Sequence, residues 1–197
     1  KHELDLTHAY GLHQRGRLSE ALAAYDAVLK RDPRNAIALH HSGVVLHQTG
    51  QHEAAAGRIS AALKSAPQDP EAWANLGAVL RTLGRVEESL VALRNAVRLA
   101  PQDGVLLSDV ASGFMMAGRY DEALAPARAA TAAIPQAAPP WYSLALCLDA
   151  LGQMQAALEA AERAATLDPT AAHHAGLYAQ LLSRLGQPAR AKEILLA

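Results

Sequence analysis

The sequence has few aromatic residues, a single cysteine and no excess of either charge. Its net charge is -1, and lysine and arginine are scattered along the 197 residues, so it lacks the basic surface that nucleic acid or an anionic membrane would need. Cys147 has no partner for an intramolecular disulfide, and its apolar neighbours predict a buried, unreactive thiol. No apolar run approaches the ~18 residues that span a bilayer. We therefore expect no nucleic-acid partner, no membrane partner and a cytoplasmic location.

What the sequence does contain is a period of 34 residues, marked by two residues that interrupt helices. Glycine recurs at this step at Gly16, Gly50, Gly84, Gly118, Gly152 and Gly186. Proline keeps the same step at Pro33, Pro67, Pro101, Pro135 and Pro169. A unit of this length cannot bury its own apolar face, but stacked units can share a continuous core. The period therefore predicts a repeat protein.

The stretch "PEAWANLGAVLRTLGRVEESLVALRNAVRLAPQD", residues 70–103, shows the pattern of one unit. Trp73, Leu76, Gly77 and Leu80 form the apolar stripe of one amphipathic helix, and a second stripe follows Gly84. Each unit is therefore predicted to be helix, turn, helix, turn. Three columns of core residues keep this register: Ala9, Gly43, Gly77, Ala111, Ala145 and Ala179; Ala21, Ala55, Ser89, Ala123, Ala157 and Ala191; Leu12, Leu46, Leu80, Phe114, Leu148 and Leu182.

The unit resembles the tetratricopeptide repeat (TPR), in which Trp, Leu-Gly, Ala and Pro stand at these offsets. The resemblance implies an all-α fold, a right-handed α-solenoid of stacked helix-turn-helix units. The predicted units are 2–35, 36–69, 70–103, 104–137, 138–171 and a partial unit, 172–197. The partial unit ends in Ile194, Leu195, Leu196 and Ala197, which would leave an apolar edge for further protein or for self-association.

The resemblance also implies where a partner would bind, because similar arrays hold peptides on the inner face of their first helices. By register, this face comprises Leu6, Tyr10, His13, His40, Val44, His47, Ala74, Ala78, Arg81, Ser108, Ser112, Met115, Tyr142, Leu146 and Asp149. Asn75 is added as the one match to the asparagine ladder of nucleocytoplasmic sugar transferases. Tyr142 and Leu146 are the expected anchors. The alternative is a solvated face, or one covered by the same polypeptide.

The stretches "HQRGRLSEALAAYDAVLKRDP" and "NLGAVLRTLGR" are similar to the TPR arrays that precede bacterial O-GlcNAc-transferase-like glycosyltransferase domains. This resemblance implies a noncatalytic scaffold that recruits a protein acceptor, such as a flagellar or surface protein, to a downstream catalytic domain. A freestanding bacterial adaptor or assembly co-chaperone is the alternative. No catalytic motif appears, so the chain itself is not expected to be an enzyme or to hold a cofactor.

Two further features leave alternatives open. His13, His40 and His47 could converge on a metal, or they could be ordinary surface histidines; the adjacent pairs His40-His41 and His173-His174 are expected to point different ways on a helix. Pro126 lies inside a predicted helix, where it indicates either a tolerated kink or a hinge.

Overall fold

The computed structural model describes the backbone of residues 2–196 and the side chains of residues 5–196, so Ala197 of the predicted apolar edge lies outside it. Within this range twelve α-helices follow one another and no strand occurs. They divide into two compact units, Lys1–Leu99 and Ala100–Ala197. Unit 1 contains α1 (His2–Gln14), α2 (Leu18–Arg31), α3 (Ala36–Gln48), α4 (His52–Ser65), α5 (Pro70–Thr82) and α6 (Val86–Leu99). Unit 2 contains α7 (Gly104–Met116), α8 (Tyr120–Ala133), α9 (Ala138–Ala150), α10 (Met154–Leu167), α11 (Ala172–Arg184) and α12 (Pro188–Leu196).

The six periodic glycines make the turns inside the helix pairs. Each has a positive φ between 71° and 82°, a conformation that costs glycine nothing but strains other residues. The residue after each glycine donates its backbone N–H to the carbonyl five positions back, as from Arg85 to Leu80 at 2.9 Å. This bond satisfies a carbonyl at the end of the first helix and closes the turn. The recurring glycines therefore all lie in the same type of turn.

In three of the helix pairs, a side chain caps the start of the first helix. Asn35, Asp69 and Asp103 precede α3, α5 and α7, and each accepts a hydrogen bond from a backbone N–H of the first turn at 3.0 Å. Such caps satisfy donors that would otherwise lack a partner at the helix start. Trp73 adds a second constraint, because its indole N–H donates to the Pro67 carbonyl at 2.9 Å. Trp141 makes the same bond to Pro135 in unit 2.

The core of each unit is formed by the predicted columns. All eighteen residues of the three columns are buried. The glycines of the first column lie against bulky neighbours: a Cβ on Gly77 would lie 2.8 Å from Leu93 Cδ2. The small residues are therefore required where the two helices of a pair approach most closely. The predicted all-α class and the stacking of helix-turn-helix units are confirmed within each unit.

Two residues singled out in the sequence lie in the core of unit 2. Cys147 is fully buried, its thiol lies 3.1 Å from the Tyr120 carbonyl, and burial raises its pKa, as expected for an unreactive thiol. Pro126 is buried within α8, which keeps the fourteen-residue length of α10. In the described part of the chain, no helix has the length and apolar character needed to cross a bilayer.

Candidate functional site

A largely apolar groove opens between α7 and α9 of unit 2, with a volume of about 570 Å³. Its lining, here called the unit 2 groove, consists of Ser112, Met115, Met116, Tyr120, Tyr142, Ser143, Leu146, Asp149 and Ala150. Five of these were predicted from the repeat register: Ser112, Met115, Tyr142, Leu146 and Asp149. The sequence pattern missed Tyr120, which comes from the second helix of the pair and therefore lies outside the predicted stripe.

The two expected anchors of this groove are not free surface side chains. Tyr142 and Leu146 are half-buried and pack against the core of unit 2. The Tyr142 ring also meets two imidazoles, with ring centroids 4.9 Å from His173 and 5.1 Å from His174. Met116, by contrast, is 72% exposed. Methionine side chains adapt to different apolar shapes, so Met115 and Met116 supply the adaptable wall of the groove.

Charge at one end of the unit 2 groove is already compensated. Arg184 from α11 donates to both carboxylate oxygens of Asp149, at 2.6 and 2.8 Å. One guanidinium nitrogen, Nη1, contacts both oxygens, and this ion pair partly neutralises the carboxylate. Asp149 therefore forms an end wall rather than an unpaired charge for a ligand.

Unit 1 contains two neighbouring cavities between α1 and α3, separated by Tyr10 and His41. The larger, of about 480 Å³, is polar, and it is lined by Tyr10, His13, Gln14, His41, Val44, Gln48 and Glu71. The smaller, of about 380 Å³, is apolar, and it is lined by Leu6, Thr7, Tyr10, Tyr25, Ile37 and His41. The Tyr10 and His41 rings meet edge to face, with centroids 5.4 Å apart. Tyr10, His13 and Val44 were predicted here as groove residues, whereas His41 and Gln48 were not.

His40 differs from the prediction because its side chain is buried rather than exposed on the groove face. It is only 3% exposed, with Nδ1 3.3 Å from Asp69 and Nε2 2.9 Å from the Asn75 amide. Burial lowers the pKa of His40 even though Asp69 and Glu71 favour the charged form. His40 thus joins α3 to the N-terminal cap of α5. Asn75, the predicted match to an asparagine ladder, is the partner of His40.

The two other histidines of the predicted metal group, His13 and His47, contact different neighbours instead of converging. His13 lies 3.0 Å from Gln48, and the Nδ1 atoms of His47 and His52 lie 2.9 Å apart. The described residues contain no group of three or more histidine, cysteine or acidic side chains able to hold a metal. The expectation that adjacent histidines point apart is wrong. The rings of His40 and His41 stack with centroids 4.9 Å apart, and those of His173 and His174 lie 4.2 Å apart.

The other predicted groove positions lie outside these cavities. Ala78 and Arg81 of α5 are half-buried. The pKa of His47 is lowered mainly by burial, then by His52, and then by the nearby Arg81.

At the end of the described chain, Leu195 and Leu196 are 63% and 76% exposed. Self-association through this helix stays a prediction.

Within each unit, helix pairs that stack in sequence order define a helical-repeat protein of the kind used for protein recognition. Sequence profiles of the tetratricopeptide repeat family match residues 12–80, 70–103 and 111–172. Together these matches span most of the sequence, and the chain belongs to the tetratricopeptide repeat family. Repeats of this family generally serve as noncatalytic protein-interaction modules. No curated protein sequence gives a significant match.

Solved TPR structures share the fold. MamA from Desulfovibrio magneticus RS-1 is 22% identical, with 82% of this chain and 91% of that chain aligned at a TM-score of 0.73. A structure of PilF from Pseudomonas aeruginosa is 18% identical, with 98% and 88% aligned at a TM-score of 0.82. YrrB, described as a TPR protein with an unusual peptide-binding site, is 26% identical, with 85% and 86% aligned at a TM-score of 0.68.

Proposed function

We propose that the chain is a protein-interaction scaffold whose unit 2 groove binds a peptide segment of a protein partner. The observation that carries this proposal is the apolar groove of about 570 Å³ between α7 and α9, which combines aromatic, aliphatic and methionine side chains. Grooves of this volume and lining suit a short segment with apolar side chains. The peptide-binding site reported for YrrB is consistent with such a role.

The composition of the unit 2 groove indicates how the binding energy is distributed. Large apolar side chains that become fully buried contribute most of the energy of an interface, while small polar neighbours mainly exclude water. The small polar side chains here are those of Ser112 and Ser143, and the large ones are those of Met115, Met116, Tyr120, Tyr142 and Leu146. The paired Asp149 and Arg184 offer little net charge. A bound segment is therefore expected to be apolar rather than highly charged.

The experiment begins with selection of binding peptides from a phage-displayed library of random dodecapeptides on the intact chain. A selected peptide should bind the Met115→Ala and Leu146→Ala variants more weakly by about 1 to 3 kcal/mol, as measured by calorimetry. Leu151→Ala is the matched control, because Leu151 is an exposed apolar residue of unit 2 that does not line the groove. Circular dichroism checks folding, since Leu146 also packs on the core.

Equal binding by all three variants would place the peptide elsewhere and contradict the proposal.

Recruitment of an acceptor, such as a flagellar or surface protein, to a glycosyltransferase domain is the narrower form of the proposal, and it is based on the sequence resemblance alone. It predicts that the parent protein glycosylates a protein that binds this groove. A freestanding adaptor, the other reading, would bind its partner through the same residues without such activity. A cytoplasmic location is likewise a prediction.

A further inference from the structure

A further groove of unit 1 lies between α4 and α6, with α5 at its base, and has a volume of about 430 Å³. We call it the Trp73 groove. Its lining consists of Glu53, Ala56, Gly57, Ser60, Trp73, Leu76, Leu80, Arg85, Glu88, Val91 and Ala92. The repeat register placed a partner on one face of the first helices, and that predicted face includes none of these residues. The Trp73 groove is therefore a separate surface.

The base of the Trp73 groove is apolar, and its aromatic ring is already fixed. Leu76 and Leu80 are buried in the core beneath the groove. The indole N–H of Trp73 donates to the Pro67 carbonyl at 2.9 Å, which holds the ring in place. Val91 at the rim is 53% exposed. An apolar side chain could therefore bury surface here without the entropy cost of first ordering the tryptophan.

Gly57 keeps the Trp73 groove open beside α4. It lies inside this helix, and a Cβ at Gly57 would have no described atom within 4 Å. Glycine in a helix interior costs ~1 kcal/mol relative to alanine, and no close packing requires it here. The second helices of the other complete repeats have a side chain at this position: Ala23, Val91, Ala125 and Glu159. The glycine thus leaves room for a guest against the α4 backbone.

The equivalent positions of unit 2 carry larger side chains. Two repeat periods further along the sequence, Leu124 stands in place of Ala56, and Arg128 stands in place of Ser60. Leu124 packs against the core of unit 2. Unit 2 forms the same helix pairs with these bulkier residues. The opening beside Gly57 is therefore not a requirement of the repeat fold.

The end of the Trp73 groove opposite the tryptophan is negatively charged. Trp73 lies near the start of α5, whereas Arg85 follows the end of that helix. Arg85 donates to both carboxylate oxygens of Glu88, from Nε at 2.8 Å and from Nη2 at 2.7 Å. Glu53 lies 3.9 Å from Arg85, beyond hydrogen-bond distance, and its side chain is 77% exposed. Because Arg85 is held by Glu88, the charge of Glu53 is left to attract a cation.

We propose that the Trp73 groove binds a segment of a protein partner that combines a large aliphatic side chain with a lysine or arginine. The aliphatic side chain packs on Leu76 and Leu80 beside Gly57, and the cation pairs with Glu53. Glu53 and Gly57 are one helical turn apart, about 6 Å along α4, which two residues of an extended segment span. The inference rests on the scaffold role proposed above, but it does not depend on the unit 2 groove.

The test selects peptides from a phage-displayed library of random dodecapeptides on the intact chain, with counter-selection on the Gly57→Leu variant. Counter-selection removes peptides that bind the unit 2 groove, because this variant leaves that groove unchanged. The enriched peptides should share an aliphatic residue two positions from a lysine or arginine. Ser60→Arg, which copies unit 2 and takes no part in the selection, should weaken binding of an enriched peptide by about 10-fold in calorimetry.

The charge of the groove is tested with Glu53→Gln. This variant should weaken the same peptide by roughly 2- to 5-fold, the ratio typical of an exposed ion pair. The loss should disappear when norleucine replaces the lysine or arginine of the peptide. Glu87→Gln is the matched control, because Glu87 is an exposed carboxylate of α6 that does not line the groove, and it should leave binding unchanged.

The stability of Gly57→Leu separates a binding role from a structural one. Its urea midpoint should equal or exceed that of the wild type, because leucine favours the helix and the space beside Gly57 is open. Gly176→Leu is the control: Gly176 is another helical glycine without close neighbours, it lies in unit 2, and its substitution should not affect binding of the peptide.

Four results would overturn the proposal: no peptide enriched after counter-selection, enriched peptides without a basic residue, full binding by Ser60→Arg or Glu53→Gln, or a lower urea midpoint for Gly57→Leu. The last would show that Gly57 is needed by the fold. Because the unit 2 groove is tested with Met115 and Leu146, its failure and the failure of the Trp73 groove are separate outcomes.

Discussion

In two helix pairs of unit 1, a glycine of the first helix lies against a large residue of the second. Gly43 approaches Ile59, and a Cβ there would lie 2.6 Å from Ile59 Cγ1; Gly77 stands in the same relation to Leu93. In the next repeat, Ala111 replaces the glycine and Ala127 replaces the large residue, and both are fully buried. The sequence showed the column of small residues to which Gly43 and Gly77 belong. That Ile59 and Leu93 face this column required the structure, because each contact joins residues sixteen positions apart in two helices.

This matching predicts a favourable coupling between Gly77→Ala and Leu93→Ala. Gly77→Ala alone should destabilise the chain by about 1 kcal/mol, because overpacking outweighs the gain in helix propensity. Leu93→Ala alone should cost about 2 to 5 kcal/mol through the cavity it leaves. The double variant, which copies the Ala111 and Ala127 pair, should cost less than the sum by about 1 kcal/mol in urea unfolding. Strict additivity would show that the two positions do not compensate.

The buried histidines of unit 1 predict a loss of stability in acid. Burial lowers the pKa of His41 to about 4, with His40 and His13 adding to the effect, and burial also lowers that of His40. The unfolded chain binds these protons near the ordinary histidine pKa of ~6.5, so stability present above this pH is lost as the pH falls toward ~4. Asp69 and Glu71 oppose the shift of His40 but do not outweigh burial.

The measurement is the urea midpoint between pH ~7 and ~5 for the wild type and for His41→Phe, which keeps a ring against Tyr25 but cannot bind a proton. We expect a shallower pH dependence in the variant. His173→Phe, which replaces an exposed histidine of unit 2, should keep the wild-type dependence. If His41→Phe and the wild type lose stability in parallel, His41 does not contribute to the acid sensitivity.

At the scale of helices, much of the architecture follows from local sequence. The glycine period predicted the turns because each glycine must adopt a positive φ. The caps that Asn35, Asp69 and Asp103 form at three helix starts were not predicted, although each is a residue type that favours this position. The burial of His40 could not be read from the same pattern. Its partners are Asp69, the residue that caps α5, and Asn75 within α5, and only the stacking of α3 and α5 brings them to His40.

Helix α8 contains a proline, Pro126, in its interior. Pro126 removes one backbone donor from α8, yet the helix runs unbroken from Tyr120 to Ala133. Pro126→Ala should therefore stabilise the chain by about 1 kcal/mol, since restoring the hydrogen bond outweighs the loss of the buried ring. Amide exchange between residues 118 and 134 should be faster than between residues 70 and 103 in the wild type, and the variant should reduce the difference. Uniform protection in the wild type would contradict the hinge interpretation of Pro126.

At the scale of the whole molecule, the sequence predicted the repeat family more fully than it predicted the binding surface. The period and the core columns depend on local spacing, so they identified the repeats directly. The groove prediction combined residues by register, and in unit 2 five of them, including Met115 and Leu146, line one cavity. In unit 1 the same register included the buried His40 and omitted Tyr25 and His41, because exposure there depends on how neighbouring side chains pack.

The central claim is that the unit 2 groove receives a peptide segment, and a chemical-shift map of the bound state tests it most directly. The intact chain is titrated with a peptide selected from the library, and the backbone amide shifts of every helix are followed. Our account predicts that the largest changes fall in α7 and α9, around Met115 and Leu146. Changes confined to α10 and α12, with α7 and α9 unaffected, would contradict it.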